Sequence, residues 1–307
     1  MDEVQVGISA VEDGAGVGDL AALVEKLGFD SIWAGEHITN FGPVLSSVPV
    51  VATFAARTST IKVGTSVMLF PLRHPTVIAK EVSSLDILSG GRVIFGIGVG
   101  GENPKEFEAC GVNVKERGSR TNEGLELIRK LWTGDKITHK GHFFDMEGVV
   151  MEPRPVQRPG PPIYVAGRRD AAMRRAAIHG DGWLPYFYDP DRYRGSVARI
   201  RGVAEETGKD LSSFHWALFQ FIAVENSYEE ALEVAIQSLE QSYIGDFTTI
   251  APKYVALGTP SQCIERLYQY HEAGARHFIL TPIGSRGKQR AKIELLAEEL
   301  LPQIRKF

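Results

Sequence analysis

The chain is poor in the features that would tie it to a metal, a membrane, a nucleic acid or an oxidising compartment. Its two cysteines, Cys110 and Cys263, stand far apart and outside any CxxC pattern. Neither a disulfide framework nor a thiolate metal site is expected, and reduced thiols suit a cytoplasmic protein. No apolar run approaches the roughly 18 residues that a membrane-spanning helix needs. The opening MDEVQVGIS starts acidic and lacks the basic flank and apolar core of a signal peptide. Lys and Arg number 34 against 38 Asp and Glu, a net charge of −4 without long runs, which argues against nucleic acid or an anionic membrane as the main partner. No GxSxG, Walker lysine or Cys-His pattern appears, so acyl transfer and nucleotide hydrolysis are disfavoured. His139 and His142 stand alone on an expected hairpin, and no metal site is expected.

What is present is a regular alternation of two patterns. With 307 residues, 43% of them apolar and 23% charged, the chain can bury a large core as a single domain over 1–307. Short β-branched runs at Val4–Ser9, Ser31–Trp33, Lys62–Leu69, Arg92–Gly98, Pro162–Ala166, Gly182–Leu184, Phe214–Val224 and Arg276–Leu280 read as strands. Helical patterns separate them, such as Leu20, Leu23, Val24 and Leu27 on one face, followed by Gly28 as a stop. Ser227-x-x-Glu230 and Thr259-Pro-Ser-Gln262 are helix-opening signals. Eight strands, each followed by helix, predict an α/β fold of the (β/α)8 TIM-barrel type with inserted loops at its C-terminal face. The weakly periodic stretch 245–258 is expected to be an inserted lid or loop.

A barrel of this kind carries its chemistry where strands end and loops begin. Those positions hold Glu36 and His37 after the second strand and Ser66 to His74 around the end of the third. Gly98 to Glu102 follow the fourth strand, and Ala166 to Asp170 the fifth. The glycines of Gly96–Gly101 would let a ring or phosphate approach the backbone. The N–H groups after Ala166-Gly167 would form an anion site at a helix start, to which Arg168 adds charge. Glu36 and His37 side by side are expected to contact a ligand, and Glu102 is a candidate general acid or base. Trp33, Phe70, Trp183, Tyr186, Phe187 and Tyr188 are core packing or the lining of a pocket for a planar ligand.

These residues resemble the luciferase-like monooxygenase superfamily, and within it the branch that uses the deazaflavin coenzyme F420. The resemblance runs through Gly64–Pro75, Leu85–Arg92 and Gly96–Gly100, with Gly28–Trp33 before Glu36-His37, then Arg120-x-x-Glu123 and Leu131-Trp132. It implies a homodimeric barrel with a flavin-like ring across the strand ends, and a cis peptide in the third strand at Ser66-Val67. Cofactor contacts are then expected from Glu36, His37, Ser66, Val67, Gly100, Gly101, Glu102, Ala166, Gly167 and Arg168. His37 and Glu102 are expected to be catalytic. The branch carries an Asp-His pair where this chain has Glu36-His37. The implied activity is hydride transfer between coenzyme F420 and a small organic substrate. An FMN-dependent monooxygenase and a non-catalytic flavin-binding barrel are the alternatives.

Overall fold

The computed structural model describes residues 3–9, 16–39, 44–241, 243, 245–284 and 288–307. The strands begin with β1 (Gln5–Ser9), β2 (Ser31–Ala34), β3 (Lys62–Thr65), β4 (Met68–Leu69) and β5 (Val93–Gly98). A hairpin of β6 (Ile137–Lys140) and β7 (Asp145–Val149) comes next. Then follow β8 (Ile163–Ala166), β9 (Gly182–Leu184), β10 (His215–Val224), β11 (Ala256–Gly258) and β12 (His277–Pro282). Helices α1 (Val17–Lys26), α2 (Ser47–Arg57), α3 (Pro75–Ser89), α4 (Pro104–Ala109), α5 (Arg117–Leu131) and α6 (Asp170–His179) fill the first two thirds. The remainder holds α7 (Pro190–Thr207), α8 (Tyr228–Glu240), α9 (Phe247–Tyr254), α10 (Pro260–Glu272), α11 (Gln289–Leu295) and α12 (Leu301–Ile304).

The parallel order β1-β2-β3-β5-β8-β9-β10-β12 returns to β1 and closes the barrel. Both faces of each strand are covered, so the strands read as continuous apolar runs. Trp33, Ile94, Tyr164, Leu184, Ala217 and Ile279 fill the interior. Their neighbours Ile32, Val63, Phe95, Val165, Leu218 and Phe278 face the helices. The N-terminal end of the interior is polar but closed. Ser31 Oγ accepts from Trp33 Nε1 at 2.8 Å and meets His277 Nε2 at 2.8 Å. Complete burial, then His215, pushes the His277 ring down to about 3, so it is held neutral.

Two expectations change. The third strand is not continuous: a cis Ser66-Val67 bond separates β3 from β4, and both pieces pair with β5. The 245–258 stretch is not irregular, since it forms α9 and then β11, which adds to β10 in parallel. Its periodicity is weak because α9 is short, contains Pro252 and buries Phe247 and Ala251 alone.

Candidate active site

The C-terminal ends of β2, β3, β5, β8 and β9 converge on one mouth. Inside it Ser66 and Val67 are half-buried, and Ser66 Oγ lies 3.2 Å from Ser9 Oγ. The absence of a side chain at Gly98 lets Val67 pack directly on the β5 backbone, since a Cβ there would stand 2.7 Å from Val67 Cγ2. Gly100 and Gly101 turn the chain out of β5 with φ of 59° and 104°, a region that favours glycine.

Glu36 is fully used by the protein. Its buried carboxylate accepts from Ser47 N at 3.1 Å, Ser47 Oγ at 2.7 Å and Leu69 N at 3.0 Å. Both guanidinium nitrogens of Arg73 complete a bidentate pair. Burial alone would raise this carboxyl; Arg73, Ser47 and Leu69 outweigh it and hold it below the usual range. Five donors on two oxygens leave no lone pair for a ligand. Glu36 therefore fastens the turn that carries His37 to the end of the third strand, instead of reaching into the mouth as expected.

His37 has a partner that sequence reasoning missed. Its Nδ1 lies 3.3 Å from each oxygen of Glu106, on α4. The Glu106 side chain is 2% exposed and that of His37 is 33% exposed. Glu106 also accepts from Ile38 N at 2.7 Å and Thr39 N at 3.2 Å, so one carboxylate binds both the ring and the backbone that follows it.

Glu102, the other expected proton carrier, is exposed and takes different partners. It accepts from the Tyr186 hydroxyl. Burial, then the charge and hydrogen bond of Glu102, push the Tyr186 phenol above its ordinary range. The Arg168 guanidinium sits 4.6 Å above the Tyr186 ring, a cation–π contact. Tyr186 thus ties together the loops after β5, β8 and β9. The next residue, Phe187, has φ of 49°, an uncommon conformation for a bulky side chain, and stacks on Phe221 at 5.0 Å. Of the remaining aromatics, Trp33, Phe70, Trp183 and Tyr188 are core residues no more than 1% exposed; only Tyr186 and Phe187 stay near the mouth.

The turn Ala166-Gly167 leads into α6, whose N-cap residue Arg169 supplies no side-chain acceptor. Gly167 has φ of 129° and accepts from Trp183 Nε1 at 3.0 Å. The Arg168 carbonyl accepts from the Tyr188 hydroxyl at 3.1 Å. Two further arginines, absent from the sequence expectations, stand on α5 and α6. Arg175 is 5% exposed; it donates to Asn122 Oδ1 at 2.6 Å and to the Gly118 carbonyl at 3.1 Å. Burial, then neighbouring Arg117, brings it down to about 10. Arg117 borders Gly101 and donates to the Val114 carbonyl at 2.7 Å, but its buried Nε has no partner. Among the described residues no carboxylate pairs with either guanidinium. Two close cations without a carboxylate partner thus stand together, and Arg117 of the pair borders the glycine turn after β5.

The other motif, Arg120-x-x-Glu123, is structural. Glu123 accepts from His142, Phe143 and Phe144 N–H groups, at 3.0, 3.1 and 2.9 Å, and Arg120 lies 4.6 Å over Phe144. The pair pins the β6-β7 hairpin to α5.

The family model described as luciferase-like monooxygenase matches residues 2–277. An uncharacterized protein of Mycobacterium tuberculosis is 38% identical over 167 residues, 54% of this chain and 57% of that protein; the match spans little more than half of that relative's length. An F420-dependent glucose-6-phosphate dehydrogenase of Nakamurella multipartita is 26% identical, covering 94% of this chain and 91% of that protein. Among solved structures, a monooxygenase from Streptomyces bottropensis has a TM-score of 0.84 and 25% identity, with 97% and 99% of the two chains covered. An F420-dependent secondary alcohol dehydrogenase has a TM-score of 0.85 with 98% and 99% covered, and at 22% identity is a likeness of fold.

Proposed function

We propose, because the chain belongs to the luciferase-like monooxygenase family, that it is an oxidoreductase moving hydride between coenzyme F420 and a small organic substrate. One observation carries the choice of an anionic, planar cofactor. The glycine turn that follows Val67 and β5 borders Arg117, one of an arginine pair without a carboxylate partner, whose buried Nε is unpartnered. Ser66, Val67, Gly98, Gly100 and Gly101 would hold the ring. The Ala166-Gly167 turn, with Arg117 backed by Arg175 and with Arg168, would hold the anionic end. The deazaflavin supplies, when bound, a ring carbon that gives or takes hydride. The protein's part is to exclude water and to move the accompanying proton through His37 or Glu102. The relative with 91% of its length matched is named as F420-dependent, which supports the deazaflavin.

The 25%-identical monooxygenase supports a second reading, an FMN-dependent monooxygenase on the same barrel. Titration of the purified protein with each cofactor separates the two. F420 is expected to bind at least about tenfold tighter than FMN, a difference of about 1.4 kcal/mol. Tight FMN binding without F420 binding would overturn the first reading.

The enzyme is further read as a cytoplasmic homodimer with a small-molecule substrate and no nucleic-acid or membrane partner. Among the described residues no helix is long and apolar enough to cross a membrane. Val77 and Leu88, 54% and 76% exposed on α3, lie three turns apart on one line of that helix, which supports a subunit contact there; sedimentation at several concentrations tests it. The α9-β11 segment, packed against Phe187 and Phe221, is read as the lid of the substrate side.

A further inference from the structure

The mouth contains two groups able to carry a proton, and their surroundings are not equivalent. Glu102 is exposed and accepts from one phenol. His37 is gripped by a carboxylate that is itself almost wholly buried. We propose that Glu106 is a positioning residue that fixes His37 as the Nδ1–H tautomer, making Nε2 the proton-accepting atom of the site.

The argument is one of donors and acceptors. An ionised carboxylate only accepts. Both Glu106 oxygens lie 3.3 Å from His37 Nδ1, so that nitrogen carries the hydrogen and a neutral ring keeps its lone pair on Nε2. The contact is longer than an optimal bond, but it is shared between two oxygens. Its geometry is locked from behind, because Ile38 and Thr39 donate their N–H groups to Oε1 of the same carboxylate. The ring and the two peptide groups after it are therefore positioned as a unit on α4. On the reading given under Proposed function, on which this step rests, Nε2 would accept the substrate's hydroxyl proton, while a bound deazaflavin would supply the hydride acceptor. In the reverse direction Nε2 returns that proton to the carbonyl oxygen.

Glu106→Gln tests the assignment sharply. The Ile38 and Thr39 N–H groups still require an acceptor, so the amide oxygen stays with them. The amide NH2 is then presented to Nδ1, which must accept. The hydrogen is forced to Nε2, and the proton-accepting atom is lost. The protein is labelled with 15N-histidine, and the His37 ring is observed by NMR without cofactor at about pH 9, where an ordinary histidine is neutral. His37→Asn identifies the resonance.

The wild type is expected to be predominantly Nδ1–H. Glu106→Gln should reverse the ratio by at least about tenfold, the effect of a charge-assisted hydrogen bond. Glu106→Asp, which still only accepts, should keep the wild-type tautomer. An Nε2–H ring in the wild type, or one unmoved by Glu106→Gln, overturns the proposal. If Glu106→Gln does not fold, the wild type and Glu106→Asp carry the decision alone. The readout needs no F420, so failure of the cofactor assignment would be seen separately in the titration.

Discussion

The substitution Arg73→Met probes the fastening of the mouth. In the native protein Glu36 is 0% exposed at its side chain and receives five donors, two of them from Arg73. Methionine keeps most of the arginine stem and removes the charge. Removing one partner of a buried ion pair generally costs about 3–5 kcal/mol. Here Ser47 N, Ser47 Oγ and Leu69 N remain, and Arg73 itself is 20% exposed, so about 2–3 kcal/mol is expected. At roughly 2 °C per kcal/mol for a chain this long, the apparent Tm should fall by about 4–6 °C at neutral pH.

The sign of the pH dependence follows from Glu36, whose folded value is depressed. Its contribution is present above the unfolded value of 4.5 and is lost as pH falls through the folded value. The gap between wild type and variant should therefore narrow on acidification. The double variant Glu36→Gln/Arg73→Met should recover part of the loss, because a neutral amide needs no counterion. Thermal melts of the three proteins at neutral and acidic pH measure this. A single variant that melts within about 1 °C of the wild type would refute the claim that Arg73 compensates a buried charge.

Three other outcomes follow. His277, held near 3 against an ordinary 6.5, binds fewer protons folded than unfolded in that window. Its contribution is complete above 6.5 and declines toward 3, so His277→Gln should show a shallower loss of Tm between neutral pH and about pH 5; an equal slope would contradict the neutral buried ring. Gly98→Ala places a methyl 2.7 Å from Val67 Cγ2 and should weaken F420 binding by about tenfold or more; unchanged affinity would remove Gly98 from the ring's bed. Glu102→Gln should lower the Tyr186 phenol titration, since burial stays while the nearby negative charge goes; an unmoved tyrosinate absorbance would contradict the pairing.

Much of the fold was legible because a parallel barrel repeats one local pattern. Each strand in the ring lies where an apolar β-branched run was read, and α1 from Val17 to Lys26 buries Leu20 and Val24 of the face read for it. Strand ends in such a barrel are fixed once the strands are, which is why His37, Ser66, Gly100 and Ala166 reach one mouth while Glu36, beside His37, turns back into the protein. What local pattern could not give is which side chain each of them meets. His37 and Glu106 are 69 positions apart, and Arg129 reaches Asp181 across 52. Such pairings depend on barrel register and on the orientation of short helices such as α4. The Arg117 and Arg175 pair left no signal beyond two ordinary cations in helical stretches. Glu36 carried a signal that pointed the wrong way. An acid beside a histidine at a strand end reads as a ligand contact, and only the backbone N–H groups of Ser47 and Leu69 reveal that its capacity is spent.

The most direct test of the central claim is a crystal structure of the protein soaked with coenzyme F420. The account predicts the deazaflavin ring over Ser66-Val67 and Gly98, with its anionic end within hydrogen-bonding distance of the Gly167 turn and Arg117. A ring bound elsewhere on the barrel, or a mouth that takes FMN and leaves F420 out, would contradict it.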